Sequence, residues 1–205
     1  RYGKAINDPV MWKFGAYLAK LNKWGEGTMG GKIGDQIKNL GLIDEIRNSE
    51  AEEALVPDFW FPDTEIAGAR DQAGSTRGFF FGAKGGFNAE SHNHNDVGSC
   101  LMYVDGKPCL IDLGREEYVA KTFSSRRYEI WTMQSGYHNL PVIKGTDQMQ
   151  GAEFKAKNTT FTANATSAVF STEIAGAYPE KAQVKSWIRT YTLNRGKSFV
   201  ISDKF

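Results

Sequence analysis

The side chains best suited to acid–base or metal chemistry fall into a few short stretches. The chain's three histidines are His92, His94 and His138, and the first two stand in Glu90-Ser91-His92-Asn93-His94-Asn95-Asp96. On extended backbone, residues two apart point to the same side, so His92 and His94 can serve one site. Downstream, Leu110-Ile111-Asp112-Leu113-Gly114 sets a carboxylate among apolar neighbours, where an unpartnered charge is costly. A metal removes that cost. Zinc takes neutral imidazole nitrogen and carboxylate oxygen, and with three protein ligands it keeps a fourth position for water. His94, Asp112 and His138 are therefore the expected ligands. Asp96 is the alternative carboxylate, its competing role being a turn residue that caps backbone amides. A His-x-His pair alone reads more readily as two surface or hydrogen-bonding histidines. The third histidine, the Asp-x-Gly carboxylate and the following Tyr118 point to a site.

The elements that must bring these residues together begin with a hairpin about Val104-Asp105-Gly106-Lys107, a two-residue loop of the Asp-Gly kind. It places the only cysteines, Cys100 and Cys109, diagonally on one sheet face, where two free core thiols are expected. No CxxC or CxxH spacing suggests a thiolate metal site. Strict pairing about this turn sets Asp112 opposite Ser99, off the face of His94, so a shared site requires a bulge or a loop near Asn95-Asp96.

After Pro57 the chain runs in short aromatic or β-branched stretches broken by Gly, Asp and Asn. Strands are expected over 64–70, 77–84, 97–104, 107–113, 139–143, 166–174, 184–193 and 197–203. With no helical crossovers between them, they suggest an antiparallel β-sandwich. Before Pro57 the texture is helical. Asp8-Pro9 is a helix start, Val10, Phe14, Tyr17, Leu18 and Leu21 follow at helical spacing, and Trp24-Gly25 is the stop. Ile33, Ile37 and Leu40, then Ile43 and Ile46, give a weaker helical pattern. Two regions are expected, a helical one over 1–55 and a sandwich over 56–205. Both ends read as cut points within a longer chain.

The 205 residues are 40% apolar and 13% aromatic, enough for a sizeable core. Lys and Arg total 25 against 24 for Asp and Glu, so no long-range field draws nucleic acid or an anionic membrane. No apolar run reaches the length of a membrane span.

Residues 84–148 resemble the heparinase II/III-like polysaccharide lyases. The resemblance rests on Gly85-Gly86, His92-x-His94-x-Asp96, Gly98-Ser99, Leu101-x-Tyr103, Gly106, Leu110-x-Asp112-x-Gly114, Tyr118, Arg127-Tyr128, His138-Asn139, Gly145 and Gln148, in that order. Phe61 to Thr64 with Arg70, and Arg189 with 198–205, extend it to about three-quarters of the chain. The resemblance implies a β-sandwich truncated at its C-terminus, preceded by the last helices of an α/α toroid. It makes His92 the catalytic-site histidine, facing the cleft between domains, and His94, Asp112 and His138 the ligands of a zinc that organises the site. The implied chemistry is β-elimination on a uronic-acid-containing polysaccharide or oligosaccharide. A base takes the C5 proton, the C4–O bond breaks, and donors neutralise the neighbouring carboxylate. It further implies a bacterial periplasmic or secreted parent, and an isolated chain that does not cleave alone, because the other catalytic residues belong to upstream helices.

Around this centre, Tyr118 is a further candidate catalytic residue, and Arg127, beside Arg126, could grip substrate carboxylates through its guanidinium fork. Glu90 is a candidate outer partner of His92, and Asn139 a candidate support for the loop that presents His138. Trp60, Trp131 and Trp187 are core residues or sugar-stacking platforms. Two other functions compete. One is a non-catalytic carbohydrate-binding sandwich with a structural metal. The other is a cupin-like metalloenzyme, suggested by Gly86 ahead of His92-x-His94, though Gly98 and Ser99 stand where that motif needs its glutamate.

Overall fold

The structure is a computed structural model that describes residues 2–24, 34, 37 and 41–205. The chain divides into two compact units, 1–55 and 56–205. In the first, α1 spans Tyr2–Ala5, α2 Pro9–Leu21 and α3 Ile43–Asn48. The start of α2 is as its sequence dictates. The Asp8 carboxylate accepts from the Met11 amide at 3.0 Å, and Pro9 occupies the first turn, where no amide proton is needed. The helix closes at Asn22, whose side chain donates to the Leu18 carbonyl at 2.8 Å. The pattern at Ile33 and Leu40 lies outside the described residues.

The second unit is an antiparallel β-sandwich. Its strands are β1 Asp58–Phe61, β2 Ile66–Arg70, β3 Phe79–Lys84, β4 Phe87–Asn88, β5 Cys100–Val104, β6 Lys107–Leu110, β7 Gly151–Lys155, β8 Lys157–Ala163, β9 Ser167–Glu173, β10 Ile188–Asn194 and β11 Ser198–Lys204. One sheet runs β1-β2-β3-β5-β6, the other β11-β10-β9-β8, and β4 pairs with β7. Alternate residues of the two large sheets meet in one core. Ala67, Ala69, Phe81 and Ala83 come from the first sheet, and Phe170, Tyr191 and Leu193 from the second. Small residues on β2 and β3 face large aromatics on β9 and β10, which lets the layers interdigitate. Trp60 packs on this core against Phe161 and Phe170, and Trp187 stacks on Phe205 at 4.6 Å, so both serve packing.

Four strands escaped the sequence reading, each for a physical reason. The strands β1 and β8 are sheet edges, and β8 exposes most of its Thr-rich length. The strand β7 pairs only with two-residue β4. Conversely, 139–143 is not a strand. Pro141 has no amide to donate, and only the isolated bridge Ile143–Thr146 forms there.

The β5–β6 hairpin turns on Asp105 and Gly106, both at positive φ as the tight primed turn requires. Its register then slips. Val104 pairs with Lys107 and Tyr103 with Pro108, but Met102 pairs with Leu110, which leaves Cys109 as an unpaired bulge residue. Cys109 is therefore exposed while Cys100 is 4% exposed, a correction to the expectation of two core thiols. The same bulge supplies the shift that the Asp112 spacing needs. Carried two residues on, the new register sets Asp112 level with Cys100 instead of Ser99. The bulge lies at Cys109, and Asn95-Asp96 lie in the loop ahead of β5, the other alternative that the spacing allowed.

Candidate functional site: two histidine clusters on the sandwich

The segment between β4 and β5 alternates cleanly. Asn93, Asn95 and Val97 are buried, while His94 and Asp96 are half-buried and His92 is exposed. Buried polar contacts fix this parity. Arg127 grips the Asn93 carbonyl through Nε at 3.0 Å and Nη2 at 2.8 Å, and its Nη1 donates to the Thr122 carbonyl at 3.0 Å. The Asn95 amide donates to the Met133 carbonyl. Gln148, 3% exposed, accepts from Asn88 and from the Val97 amide and donates to the Val97 carbonyl. This asparagine–glutamine frame went unread in the sequence, although Asn93 and Asn95, at alternate positions between the histidines, were its signal. Gly98 closes the segment at φ +82°. A side chain there would meet Ile174 at 2.5 Å, so both backbone and space require glycine.

Asp112 and His138 come together beyond the ends of their elements. Past β6, the Asp112 carboxylate accepts from the Gly114 amide at 2.8 Å. His138 follows a run of four 3-10 turns, Ala120–Phe123, Arg127–Glu129, Trp131–Met133 and Ser135–Tyr137. Its Nδ1 lies 3.0 Å from Asp112 Oδ2 and its Nε2 3.1 Å from the Thr132 carbonyl. The His94 ring is tilted against the His138 ring at 5.5 Å between centroids. His94, Asp112 and His138 are thus one cluster. Asp112 is not the buried carboxylate expected, since its side chain is 35% exposed.

The hydrogen-bond partners constrain protons. The Thr132 carbonyl only accepts, so Nε2 of His138 carries a proton and donates to it. The Asp112 carboxylate also only accepts, so the space before Nδ1 must hold either a second proton or a cation. Burial pushes the His138 pKa down, but contact with Asp112 outweighs it and leaves it raised above 6.5. Asp112 is held below its usual value, chiefly by the His138 contact. His94, by contrast, is pushed down by burial and so favours the neutral, lone-pair form a metal requires. A histidine that fixes its tautomer on a backbone carbonyl and offers its other nitrogen beside a carboxylate matches the outer-shell arrangement of zinc sites. The donor types fit zinc. His138 and Asp112 stand closed on each other by hydrogen bonding, and among the described residues no three His, Cys, Asp or Glu groups enclose a common point.

His92 belongs to a second cluster. It sits at φ +59°, and its Nδ1 lies 3.3 Å from the Tyr118 hydroxyl, the two rings stacking at 6.0 Å. The Arg115 guanidinium covers Tyr118 at 4.9 Å, and Phe123 meets it edge-on at 5.4 Å. The structure therefore brings together His92 and Tyr118, which the sequence offered as separate candidates. Arg127 spends its donors on backbone, and Arg126 is paired to Glu129. Glu90 turns from His92 to Lys84, at 3.0 Å, and Lys84 also reaches Asp96 at 2.7 Å. That lysine occupies Asp96, the alternative metal carboxylate. Asn139 does support the loop, since its amide donates to the Cys100 and Ile111 carbonyls, both at 2.9 Å. Trp131 and Tyr137, 46% and 53% exposed, meet edge-on at 5.3 Å beside His138. An open apolar cavity of about 250 Å³ is lined by Phe59, Phe80, Lys84, Asp96, Leu101 and Asp112, and the three histidines are not among its walls.

Comparison with known proteins gives the family of the sandwich. The heparinase II/III-like, C-terminal family profile matches residues 54–205. Among solved structures, heparan sulfate lyase HepC from Pedobacter heparinus superposes with a TM-score of 0.61 at 13% identity, covering 94% of this chain and 27% of its own. A heparinase III gene product gives 0.60 at 18% identity, covering 94% and 26%. At these identities the likeness is one of fold, and the chain spans about a quarter of the length of these structures. No curated protein sequence matches. With the profile covering most of the chain, and the same sandwich in both solved structures, the chain belongs to the heparinase II/III-like family.

Proposed function

We propose that this chain is the sandwich part of a polysaccharide lyase that cleaves uronic-acid-containing polysaccharides by β-elimination. The observation that carries this is the exposed His92–Tyr118 pair in the family's motif segment, beside but separate from the cluster of His94, Asp112 and His138. Its relatives in fold are described as heparan sulfate lyase and heparinase III, which supports an acidic polysaccharide as substrate.

In this reading the phenol of Tyr118 donates to Nδ1 of His92, which leaves Nε2 protonated and free to donate to a substrate carboxylate. Neutralising that carboxylate acidifies the C5 proton. A base removes it, the electron pair forms the C4–C5 double bond, and the C4–O bond breaks with a proton delivered to the leaving oxygen. Arg115, stacked on Tyr118, holds its ring and adds positive charge near the substrate anion. Arg127 acts by anchoring the Asn93 carbonyl between the two histidines, and Asn139 by tying the Asp112 and His138 loops. Zinc, held by His94, Asp112 and His138, would supply fixed positive charge that keeps these loops in register. The parent is a bacterial enzyme of the periplasm or exterior, where such polymers are met.

The test uses the full-length parent with a panel of uronate polysaccharides, following the ultraviolet absorbance of the unsaturated product. His92→Ala should abolish turnover with zinc content unchanged. Full activity in His92→Ala would refute the catalytic assignment and favour a sandwich that only binds carbohydrate.

A further inference from the structure

Arg189 lies on β10, 8% exposed, directly across from Asp203 on β11. Its Nε and Nη2 take the two oxygens of the Asp203 carboxylate, each at 2.7 Å, as a two-pronged fork. If its purpose were only to join the two strands, the fork would suffice. Yet Nη1 is aimed out of the sheet, at the carbonyl of Asn139, 2.7 Å away. Asn139 immediately follows His138, and its own side-chain amide spends both protons on the Cys100 and Ile111 carbonyls. Ile111 in turn precedes Asp112. A line of hydrogen bonds, half-buried except at the exposed Asn139–Ile111 step, therefore runs from the β10–β11 pair, through Arg189 and Asn139, to the backbone beside Asp112 and His138.

We propose that Arg189 is a positioning residue for the metal centre: clamped by Asp203, it fixes Asn139 and thereby the separation of the loops that carry Asp112 and His138. This rests on the reading of His94, Asp112 and His138 as metal ligands. The geometry suits a planar guanidinium, whose Nε and Nη2 make two parallel bonds to Asp203 while Nη1 points away to Asn139; the three donors of an ammonium radiate from one nitrogen and cannot span these positions with straight bonds. Outer partners of this kind typically change metal affinity by roughly 10- to 100-fold.

The experiment is a titration of the metal-free 205-residue chain with cobalt(II), read by its visible absorption bands, whose energy and intensity report coordination geometry. The variants are Arg189→Lys, Asp203→Asn and, as a control that loosens the core away from the site, Phe199→Leu. Arg189→Lys should bind cobalt about tenfold or more weakly, with altered bands. Asp203→Asn should shift both in the same direction by less, and it keeps the proposal testable if Arg189→Lys fails to fold. Phe199→Leu should lower the melting temperature and leave affinity and bands as in the wild type. Unchanged bands and affinity in folded Arg189→Lys or Asp203→Asn would overturn the positioning role, as would an equal effect from Phe199→Leu. A wild-type chain that binds no cobalt would remove the metal reading itself, a distinguishable failure.

Discussion

His138 stands between two acceptors, the Thr132 carbonyl and the Asp112 carboxylate, and this makes it the residue most sensitive to what fills the space beside it. Asp112→Asn replaces an anion with an amide that offers a donor to Nδ1. It should therefore remove zinc binding while keeping the fold, as elemental analysis and circular dichroism would show. The second cluster predicts differently. In the parent, Tyr118→Phe removes the hydroxyl next to His92 Nδ1, so kcat should fall by roughly a hundredfold with zinc content unchanged. Most of these residues were legible because parity and motif order place them: His92 and His94 two apart, Asp112 after a recognisable hairpin, Tyr118 close behind. The contact of His92 with Tyr118, and the hydrogen bond of His138 to the Thr132 carbonyl, were not legible, since they depend on the left-handed backbone at His92 and on a string of 3-10 turns. Neither leaves a hydrophobic period. The use of Arg127 on backbone was hidden for the same reason.

At the scale of elements, one bulge decides where two residues go. Because Cys109 is the extra residue of β6, it faces solvent, whereas Cys100 lies in the core with its thiol pKa pushed up by burial. A thiol reagent should label one cysteine in the native chain and two after unfolding, with Cys109→Ser abolishing the native signal. Rapid labelling of both in the native state would contradict the register. The hairpin itself was readable from Asp105-Gly106, but a bulge changes the count of residues without changing their types, so a sequence pattern passes over it. The edge strands β1 and β8 were missed because half-exposed strands lack the apolar alternation that marks central ones. Gly98 gives a sharper test of the loop that follows the histidines. Gly98→Ala combines strain at φ +82° with overlap on Ile174 and should cost about 2–4 kcal/mol in chemical denaturation.

Across the whole molecule, the sandwich holds its functional loops from the far sheet as well as the near one. Arg189 and Asp203 are the visible link. Burial pushes the Asp203 carboxyl up, but the Arg189 guanidinium outweighs it and holds the pKa below 3.8. A carboxylate depressed in the folded state stabilises fully above its unfolded value, and that stability is lost as pH falls through the folded value. Asp203→Asn should therefore cost about 3 kcal/mol near neutral pH, and the difference from wild type should shrink as pH drops below about 4. A difference constant with pH would mean that the pair is not the source. The chain spans about a quarter of the length of its solved relatives in fold, and alone it should form no unsaturated product from uronate polymers. The most direct measurement of the central claim is the zinc content of the purified chain by elemental analysis, beside His94→Ala and Asp112→Ala. The account predicts about one zinc per wild-type chain and loss of it in both variants. A wild-type chain free of zinc under non-chelating conditions, or variants that retain it, would contradict the assignment of His94, Asp112 and His138 as one metal centre.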